Sequence, residues 1–381
     1  MTTPAKAKAR IAFYAPLKPP DHSIASGDRQ MARMLMAALR RAGYDTFLAS
    51  RYIAYSKRYG AEHLAERKAG ALAEAERLLA EWKKTSARPD LWFCYHPYDK
   101  SPDWIGPEIA KRLRIPIVNA EPCKTGQGPN GEWLPWRAEA QLSILAAALN
   151  IVMTESDRNY LATFAPRQRV ETLLPFVDLD LLVPDAEIAT GWPSPGCRLL
   201  TVGMMRPGAK LDSYRVLSRS LQSMATRDWS LLVCGDGPEM ATIREWFGFA
   251  GDSVAFLGQC EPGQVLALMR QADILAWPGC REAYGMVYLE AAAMGTPALA
   301  LANLGVPLVV EDGRTGLLAD PETTGDYAGK LARMIDDDEL RRRLATGARE
   351  FVTGERSGEQ AARKLRAMID RLLAEWNAGN G

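Results

Sequence analysis

The sequence contains few of the residues that build metal centres and disulfide scaffolds. Among its 381 residues there are three histidines and six cysteines, and no two cysteines stand in a Cys-x-x-Cys pair. The histidines, His22, His63 and His96, are far apart along the chain. We therefore expect neither a bound metal nor a disulfide framework, and we interpret the cysteines as reduced thiols of a cytosolic protein.

An excess of charge of one sign is also lacking. The chain has 47 basic and 46 acidic residues, which leaves a net charge of +1. Proteins that bind nucleic acid usually carry a clear basic surplus. We therefore expect no nucleic-acid partner.

No apolar run is long enough to span a bilayer. The longest, Leu142 to Met153, falls well short of the roughly 20 residues that a membrane helix requires. The first apolar stretch, after Arg10, is only strand-length and too short for a signal core, so we expect a cytoplasmic protein. The charged stretch from Ser56 to Lys84 predicts one long helix, or two, on the solvated surface. A face that contacts a partner or the inner surface of a membrane is the alternative.

Short apolar runs recur through the sequence, among them "RIAFYAP", "LWFCYHP", "SLLVCGDG" and "ADILAWPG", with helical stretches between them. Because the runs are continuous, not alternating, they predict strands that are buried on both faces. Repetition of strand and helix predicts an α/β fold with doubly wound parallel sheets. The length favours two domains, and the Pro- and Gly-rich stretch from Val177 to Cys197 marks their boundary.

The stretch "CREAYGMVYLEAAAMGTP" places two carboxylates around a glycine turn. Glu282 lies in the loop after the strand "ADILAWPG", where ligands of parallel sheets bind. Gly285 permits close approach of the backbone, and the N–H groups of Gly285, Met286 and Val287 would point out of a helix start toward a phosphate. Glu290 lies about one helical turn further along. Carboxylates accept hydrogen bonds from hydroxyls, so the pair suits a sugar and a ribose on either side of phosphates.

With these features in place, the sequence resembles a known family. "EAYGMVYLEAAAMGTP" looks like the paired-glutamate signature of retaining GT-B glycosyltransferases of the family-four type, the glycosyl transferases group 1. "TVGMMRPGAK", "SLLVCGDGPE", "VAFLGQ" and "GVPLVVEDGRTGLLAD" resemble further motifs of that family, in the family's order. The resemblance is dense from about Thr201 to Asp320 and weak before about residue 150.

The resemblance implies a GT-B fold of two Rossmann-like domains that face a central cleft. Residues 1–180 would form the acceptor-side domain, and the amphipathic helix of residues 359–381 would pack back on it. Residues 196–355 would form the domain that binds the nucleotide-sugar donor.

The resemblance also implies roles for single residues. The catalytic set would comprise Glu282 on the sugar hydroxyls and Lys210 and Arg206 on the leaving diphosphate. Donor binding would add Glu290 on the ribose, and backbone contacts from residues 285–287 and from Gly27. The sequence departs from the family at Met204, where the arginine usually stands, and at Glu121, where a histidine is usual. His96, one strand earlier, could replace that histidine.

The implied reaction moves a sugar from a nucleotide-diphosphate sugar to an acceptor hydroxyl, with retention of anomeric configuration. Lys210 and Arg206 would stabilise the leaving group, so we expect no metal and no cofactor. The base, the sugar and the acceptor stay open, and the acceptor could be a saccharide, a lipid-linked intermediate or a small metabolite. Two alternatives remain: a nucleotide-sugar epimerase of the same fold, and a non-catalytic two-domain sugar-binding protein.

Overall fold

The computed structural model describes residues 9–24, 26–124, 131, 133–185, 191–224 and 228–379. The chain divides into two units. Unit 1 comprises Met1–Leu174 and Gly358–Gly381, and unit 2 comprises Pro175–Ser357. In the part of the chain that the structure describes, no helix combines the length and apolar character needed to cross a membrane.

Unit 1 contains a six-stranded sheet in which every pairing is parallel. The strands are β1 (Arg10–Tyr14), β2 (Asp45–Leu48), β3 (Leu91–Tyr95), β4 (Ile117–Ala120), β5 (Leu149–Val152) and β6 (Val170–Thr172), in the order β2-β1-β3-β4-β5-β6. The helices α1 (Gly27–Arg41), α2 (Ala61–Thr85), α3 (Ile105–Leu113), α4 (Leu134–Leu145) and α5 (Glu155–Ala162) connect them. The central strands β3, β4 and β5 are buried along their whole length, as their continuous apolar runs predicted.

A buried carboxylate organises the start of α3. Asp103 is 1% exposed and accepts hydrogen bonds from Trp92 Nε1 at 2.8 Å, the backbone N–H of Ile105 at 3.0 Å and that of Gly106 at 2.8 Å. These bonds satisfy N–H groups that a helix start leaves unpaired, and they join α3 to β3.

We expect Asp103→Ala to lower the free energy of unfolding by about 2–4 kcal/mol, because it leaves three buried donors without an acceptor. Urea denaturation followed by tryptophan fluorescence measures the change. Asp90→Ala is the matched control, since Asp90 is exposed and accepts one bond, from Arg10 N. Equal losses in the two variants would contradict the role of Asp103.

Unit 2 contains a second six-stranded parallel sheet. Its strands are β7 (Cys197–Val202), β8 (Trp229–Cys234), β9 (Val254–Gly258), β10 (Ile274–Ala276), β11 (Ala298–Leu301) and β12 (Gly316–Ala319), in the order β12-β11-β10-β7-β8-β9. Its helices are α6 (Ala209–Gln222), α7 (Met240–Trp246), α8 (Pro262–Gln271), α9 (Met286–Met294), α10 (Asp326–Asp336) and α11 (Asp338–Glu355). The two sheets confirm the predicted doubly wound α/β class.

The last helix, α12 (Gly358–Gly379), returns to unit 1 and packs against α1. Its apolar face is buried, and its polar face is tied to the rest of unit 1. Tyr44 Oη donates to Asp370 Oδ1 at 2.8 Å, and Arg169 Nη1 donates to Glu375 Oε2 at 2.5 Å. The helix therefore completes unit 1 although it follows unit 2 in the sequence.

Candidate functional site

The strand order of unit 2 reverses at its centre, between β7 and β10. From β7 the chain moves outward through β8 and β9, and it then returns to place β10 on the other side of β7. Loops that leave two such strands diverge to opposite faces of the sheet and open a crevice at the carboxyl edge, the usual ligand site of open α/β sheets. The loop after β7 leads to α6 and contains Arg206. The loop after β10 leads to α9 and contains Glu282.

Two of the three predicted catalytic residues meet at this point. Lys210, the second residue of α6, donates from Nζ to Glu282 Oε2 at 2.5 Å. Their side chains are 20% and 21% exposed, and the Lys210 ammonium lies 5.3 Å from the ring centroid of Trp277. A carboxylate and an aromatic face thus hold the cation at the carboxyl edge of the sheet, within reach of solvent.

The loop after β10 is anchored to the first turns of α6 by further contacts. The backbone N–H of Cys280 donates to Ser213 Oγ at 2.9 Å, and Arg281 Nη2 donates to Asp212 Oδ2 at 2.5 Å. These bonds hold the two loops together, so the Lys210–Glu282 pair is built on fixed backbone.

Two glycines give this loop its shape. Gly279 has φ +66° and Gly285 has φ +78°. A Cβ at Gly279 would lie 2.1 Å from Oη of Tyr288, and a Cβ at Gly285 would lie 2.7 Å from a ring carbon of the same residue. Tyr288 is itself fixed, because it is 1% exposed and its Oη donates to the carbonyl of Trp277 at 2.9 Å. Only glycine combines this backbone conformation with this close approach. A Cβ at Gly285 would also lie 3.0 Å from Cγ of Glu282, so a larger residue in this turn would crowd that glutamate.

Glu290 lies in the second turn of α9 and is half-buried. Within the described residues it makes no hydrogen bond or ion pair. Burial raises its pKa to about 7. A desolvated carboxyl without a partner is unfavourable for folding, and such groups mark places where a ligand supplies the missing hydrogen bonds.

The other predicted site residues form no recorded hydrogen bond or ion pair with Lys210 or Glu282 among the described residues. Arg206 is exposed in the loop after β7, with no ion pair to a described residue. Met286 and Val287 are the first residues of α9, which has Gly285 as its N-cap and therefore no capping side chain. Gly27 belongs to unit 1 and begins α1, where Ser26 Oγ accepts from the N–H of Arg29 at 3.3 Å. The structure thus brings Lys210 and Glu282 into contact, and the roles predicted for all these residues stay predictions.

Unit 1 has a polar cluster at the carboxyl edge of its own sheet. His96 directly follows β3 and Glu121 directly follows β4, and His96 Nδ1 lies 3.6 Å from Glu121 Oε2. On the other side of the ring, Nε2 lies 3.9 Å from Cys123 Sγ. Burial disfavours the imidazolium, but Cys123 and Glu121 outweigh it and raise the pKa of His96 above its usual value. Burial, followed by the charge of Glu121, raises the pKa of the neighbouring Asp157 to about 6.

The sequence offered His96 and Glu121 as alternatives, whereas the structure pairs them. They are separated by a whole helix and strand in the chain, and only the pairing of β3 with β4 makes them neighbours. The sequence feature that could have predicted this contact is that both residues directly follow strands of one parallel sheet, whose carboxyl ends share one edge.

Backbone strain is concentrated at these two edges. Among the described residues, six that are not glycine have positive φ: Ser86, His96, Arg114, Glu121, Arg281 and Leu304. Ser86 and Arg114 end helices, where a left-handed residue is ordinary. The remaining four lie after β3, β4, β10 and β11. Strained conformations of this kind persist where function requires a side chain to be aimed.

Comparison with known proteins agrees with this architecture. The model of the glycosyl transferases group 1 matches residues 199–351. The D-inositol 3-phosphate glycosyltransferase of Corynebacterium kroppenstedtii is 29% identical over 264 residues, which cover 64% of this chain and 57% of that protein. The protein of the same name from Actinosynnema mirum is 33% identical over 225 residues, 55% of this chain and 51% of the relative. The chain thus spans about half the length of these curated relatives.

Solved structures share the fold. Sucrose-phosphate synthase from Thermosynechococcus elongatus superposes with a TM-score of 0.72 at 20% identity, over 97% of this chain and 100% of that one. Anabaena HepE in complex with UDP-glucose superposes with a TM-score of 0.65 at 16% identity, over 95% and 99% of the two chains. These matches confirm the predicted GT-B fold. Residues 199–351, which lie within unit 2, are similar to the glycosyl transferases group 1.

Proposed function

We propose that this chain is a retaining glycosyltransferase that moves a sugar from a nucleotide-diphosphate sugar to an acceptor hydroxyl. The observation that carries the proposal is the contact between Lys210 and Glu282 at the β7/β10 crevice. Glu290, on the helix that follows, has no partner among the described residues. A cation and two carboxylates on one such edge match a ligand that combines phosphates with two sets of hydroxyls.

The leaving diphosphate gains negative charge as its bond to the anomeric carbon breaks. Lys210 would stabilise that charge, together with the N–H groups of residues 285–287 at the start of α9, and more strongly in the transition state than in the bound donor. Before the donor binds, Glu282 neutralises Lys210. When phosphate oxygens take over the ammonium, Glu282 becomes available to accept hydrogen bonds from the hydroxyls of the sugar.

The bond from the anomeric carbon to the acceptor oxygen would form on the face that the diphosphate leaves. The proton of the acceptor hydroxyl would pass to a diphosphate oxygen, so the step requires no protein nucleophile. We expect it to require neither a divalent cation nor an organic cofactor. Arg206, exposed in the loop after β7, would add a second positive charge once phosphates are present.

The acceptor is the less defined substrate. The relatives from Corynebacterium kroppenstedtii and Actinosynnema mirum are named for D-inositol 3-phosphate, a polyol phosphate. We propose an acceptor of that chemical class, with several neighbouring hydroxyls. In unit 1, the His96–Glu121 pair has the hydrogen-bonding groups to bind such hydroxyls.

A nucleotide screen tests the donor site. UDP, GDP, ADP, CDP and dTDP are added separately to the full chain, and thermal unfolding is recorded. We expect one of them to raise the Tm by about 5–10 °C at one hundred times its dissociation constant. No stabilisation by any of the five would contradict the proposal.

A turnover assay then separates the three functions. The matching sugar donor is incubated with and without D-inositol 3-phosphate, and products are followed by NMR. A transferase releases nucleotide diphosphate when the acceptor is added, and the new glycosidic bond keeps the donor's anomeric configuration. Conversion of the donor sugar without an acceptor would identify an epimerase. Binding without any turnover across a panel of polyol phosphates and saccharides would favour a binding protein.

A further inference from the structure

Two cysteines outside the proposed catalytic pair lie next to each other in unit 2. Cys234 Sγ and Cys260 Sγ are 3.3 Å apart and are not bonded. Cys234 is the last residue of β8 and is 1% exposed, whereas Cys260 follows β9 and is only half-buried. One sulfur is therefore protected and the other can meet a reagent from solvent.

The sheet places the two sulfurs together. β8 and β9 are parallel neighbours in which Cys234 pairs with Gly258, and an irregularity in the register lies between Val233 and Cys234. Beyond the ladder, the N–H of Gly235 donates to the carbonyl of Gly258 at 2.8 Å. These contacts hold the end of β8 against the segment that contains Cys260. The two thiols are thus neighbours because of strand pairing, and a reaction between them needs no unfolding.

We propose that Cys234 and Cys260 are a covalent modification site. Low-molecular-weight disulfides such as oxidised glutathione would oxidise the two thiols to a reversible disulfide between Cys234 and Cys260. A disulfide has an S–S distance of about 2.05 Å, so the sulfurs must approach by about 1.3 Å from their present 3.3 Å. Movement of the half-buried Cys260 segment can supply this distance, since Cys234 is enclosed by the sheet.

The chemistry follows from the difference in exposure. Cys260 loses its proton to solvent, and its thiolate attacks oxidised glutathione, which gives a mixed disulfide and releases one glutathione. Cys234 then loses its proton, attacks Cys260 Sγ and releases the second glutathione. The two thiols are oxidised by two electrons and one glutathione disulfide is reduced. Burial, with a contribution from Cys260, raises the pKa of the Cys234 thiol, so the second step should be the slower one and should accelerate with rising pH.

The disulfide would act on the loop after β7. Met205 donates its N–H to the carbonyl of Asp236 at 2.9 Å, and Glu239 donates its N–H to the carbonyl of Met205 at 3.0 Å. The segment that follows Cys234 therefore supports the loop that contains Arg206. Movement of the Cys260 segment would be transmitted to this support through the bond from the Gly235 N–H to the Gly258 carbonyl. On the proposed function, which this consequence requires, closure of the disulfide would thereby weaken donor binding.

Intact mass spectrometry of the full chain tests the site. After incubation with oxidised glutathione and alkylation of the remaining thiols, we expect four of the six cysteines to be alkylated and the peptides with Cys234 and Cys260 to be cross-linked. Dithiothreitol should restore six alkylated thiols. Alkylation of all six after oxidation, or a cross-link between other cysteines or between two chains, would overturn the proposal.

Variants separate the two steps. Cys260→Ser should form neither the disulfide nor a glutathione adduct on Cys234, and Cys234→Ser should stop at the mixed disulfide on Cys260. Cys123→Ser, which removes another half-buried cysteine in unit 1, is the matched control and should still form the cross-link. If Cys234→Ser fails to fold, the peptide map of the protein without substitutions and the result for Cys260→Ser still decide whether the disulfide forms.

Calorimetry with UDP, or with whichever nucleotide diphosphate the screen identifies, measures the consequence for the donor. We expect at least threefold weaker binding to the oxidised than to the reduced protein. Equal affinities in the presence of the mapped disulfide would overturn the coupling to the donor site. Absence of binding to the reduced protein would instead contradict the proposed function. It would not affect the proposed disulfide, which is tested separately by mass spectrometry.

Discussion

Lys210→Ala is expected to lower kcat for sugar transfer by about 10²–10³-fold, the usual loss when one fixed group that stabilises developing negative charge is removed. The ammonium lies 2.5 Å from Glu282 Oε2 and above the ring of Trp277, so its position is set before the donor arrives. Without it, the diphosphate would leave from a site where Glu282 contributes only negative charge. Steady-state kinetics with the identified donor measure the loss.

The matched control is the other lysine of unit 2. Lys330 forms an ion pair with Asp326 at 3.1 Å and donates to the carbonyl of Leu318. Lys330→Ala removes a lysine that is likewise ion-paired and partly buried on a helix but lies outside the β7/β10 crevice, and kcat should change less than threefold. An equal fall in kcat for the two variants would show that stability, not charge at the crevice, controls activity. Unchanged kcat in Lys210→Ala would contradict the assigned role.

Glu290→Gln is expected to make the free protein more stable and the donor complex weaker. The pKa of this carboxyl is about 7 in the folded chain against 4.5 for an unperturbed glutamate, because burial disfavours its charged form. The folded state therefore binds more protons than the unfolded state between those two values, and stability falls as pH rises through that range. The difference corresponds to roughly 3 kcal/mol above pH 7.

Thermal unfolding as a function of pH measures the first effect. Glu290→Gln should raise the Tm at pH 8 and leave it nearly unchanged at pH 4.5, where the native carboxyl is already neutral. Glu350→Gln makes the same chemical change at an exposed position of α11 and should leave the Tm unchanged at both pH values. A destabilised Glu290→Gln at pH 8 would mean that the carboxylate has a stabilising partner after all.

Donor affinity should change in the opposite direction. Hydroxyl donors of a ribose favour the carboxylate over the neutral amide, so we expect about 10–100-fold weaker donor binding in Glu290→Gln. For the same reason the native protein should lose donor affinity as pH falls through 7, and binding below that pH should release a proton. Calorimetry in two buffers of different ionisation heat detects the proton. Identical affinities for both proteins at pH 8 would remove Glu290 from the site.

Much of the local structure could be predicted from the sequence. A helix start was predicted at residues 285–287, and α9 runs from Met286 to Met294 with Gly285 at its N-cap. The charged stretch from Ser56 to Lys84 is a single helix over Ala61–Thr85, and the continuous apolar runs are the buried parallel strands. These features depend on residues within a few positions of one another, so the sequence pattern records them directly.

Partnerships between distant residues could not be predicted in the same way. No local pattern in "TVGMMRPGAK" shows that Arg206 is exposed whereas Lys210 contacts Glu282, seventy-two residues later. The contact of His96 with Glu121 and that of Cys234 with Cys260 likewise depend on which strands are neighbours and on their register. Loops carry the relevant side chains, and loop sequences show no period that would reveal their partners.

By itself, therefore, the sequence determined the secondary structure elements, their α/β alternation, the GT-B class and the short segments that border the carboxyl edges of the sheets. Tertiary structure decided which of those segments meet. It placed β10 beside β7, so that a lysine and a glutamate share one crevice, and it left Glu290 half-buried without a partner among the described residues. The physical reason is that hydrophobic periodicity specifies which face of an element is buried, whereas strand order and register specify what lies opposite it.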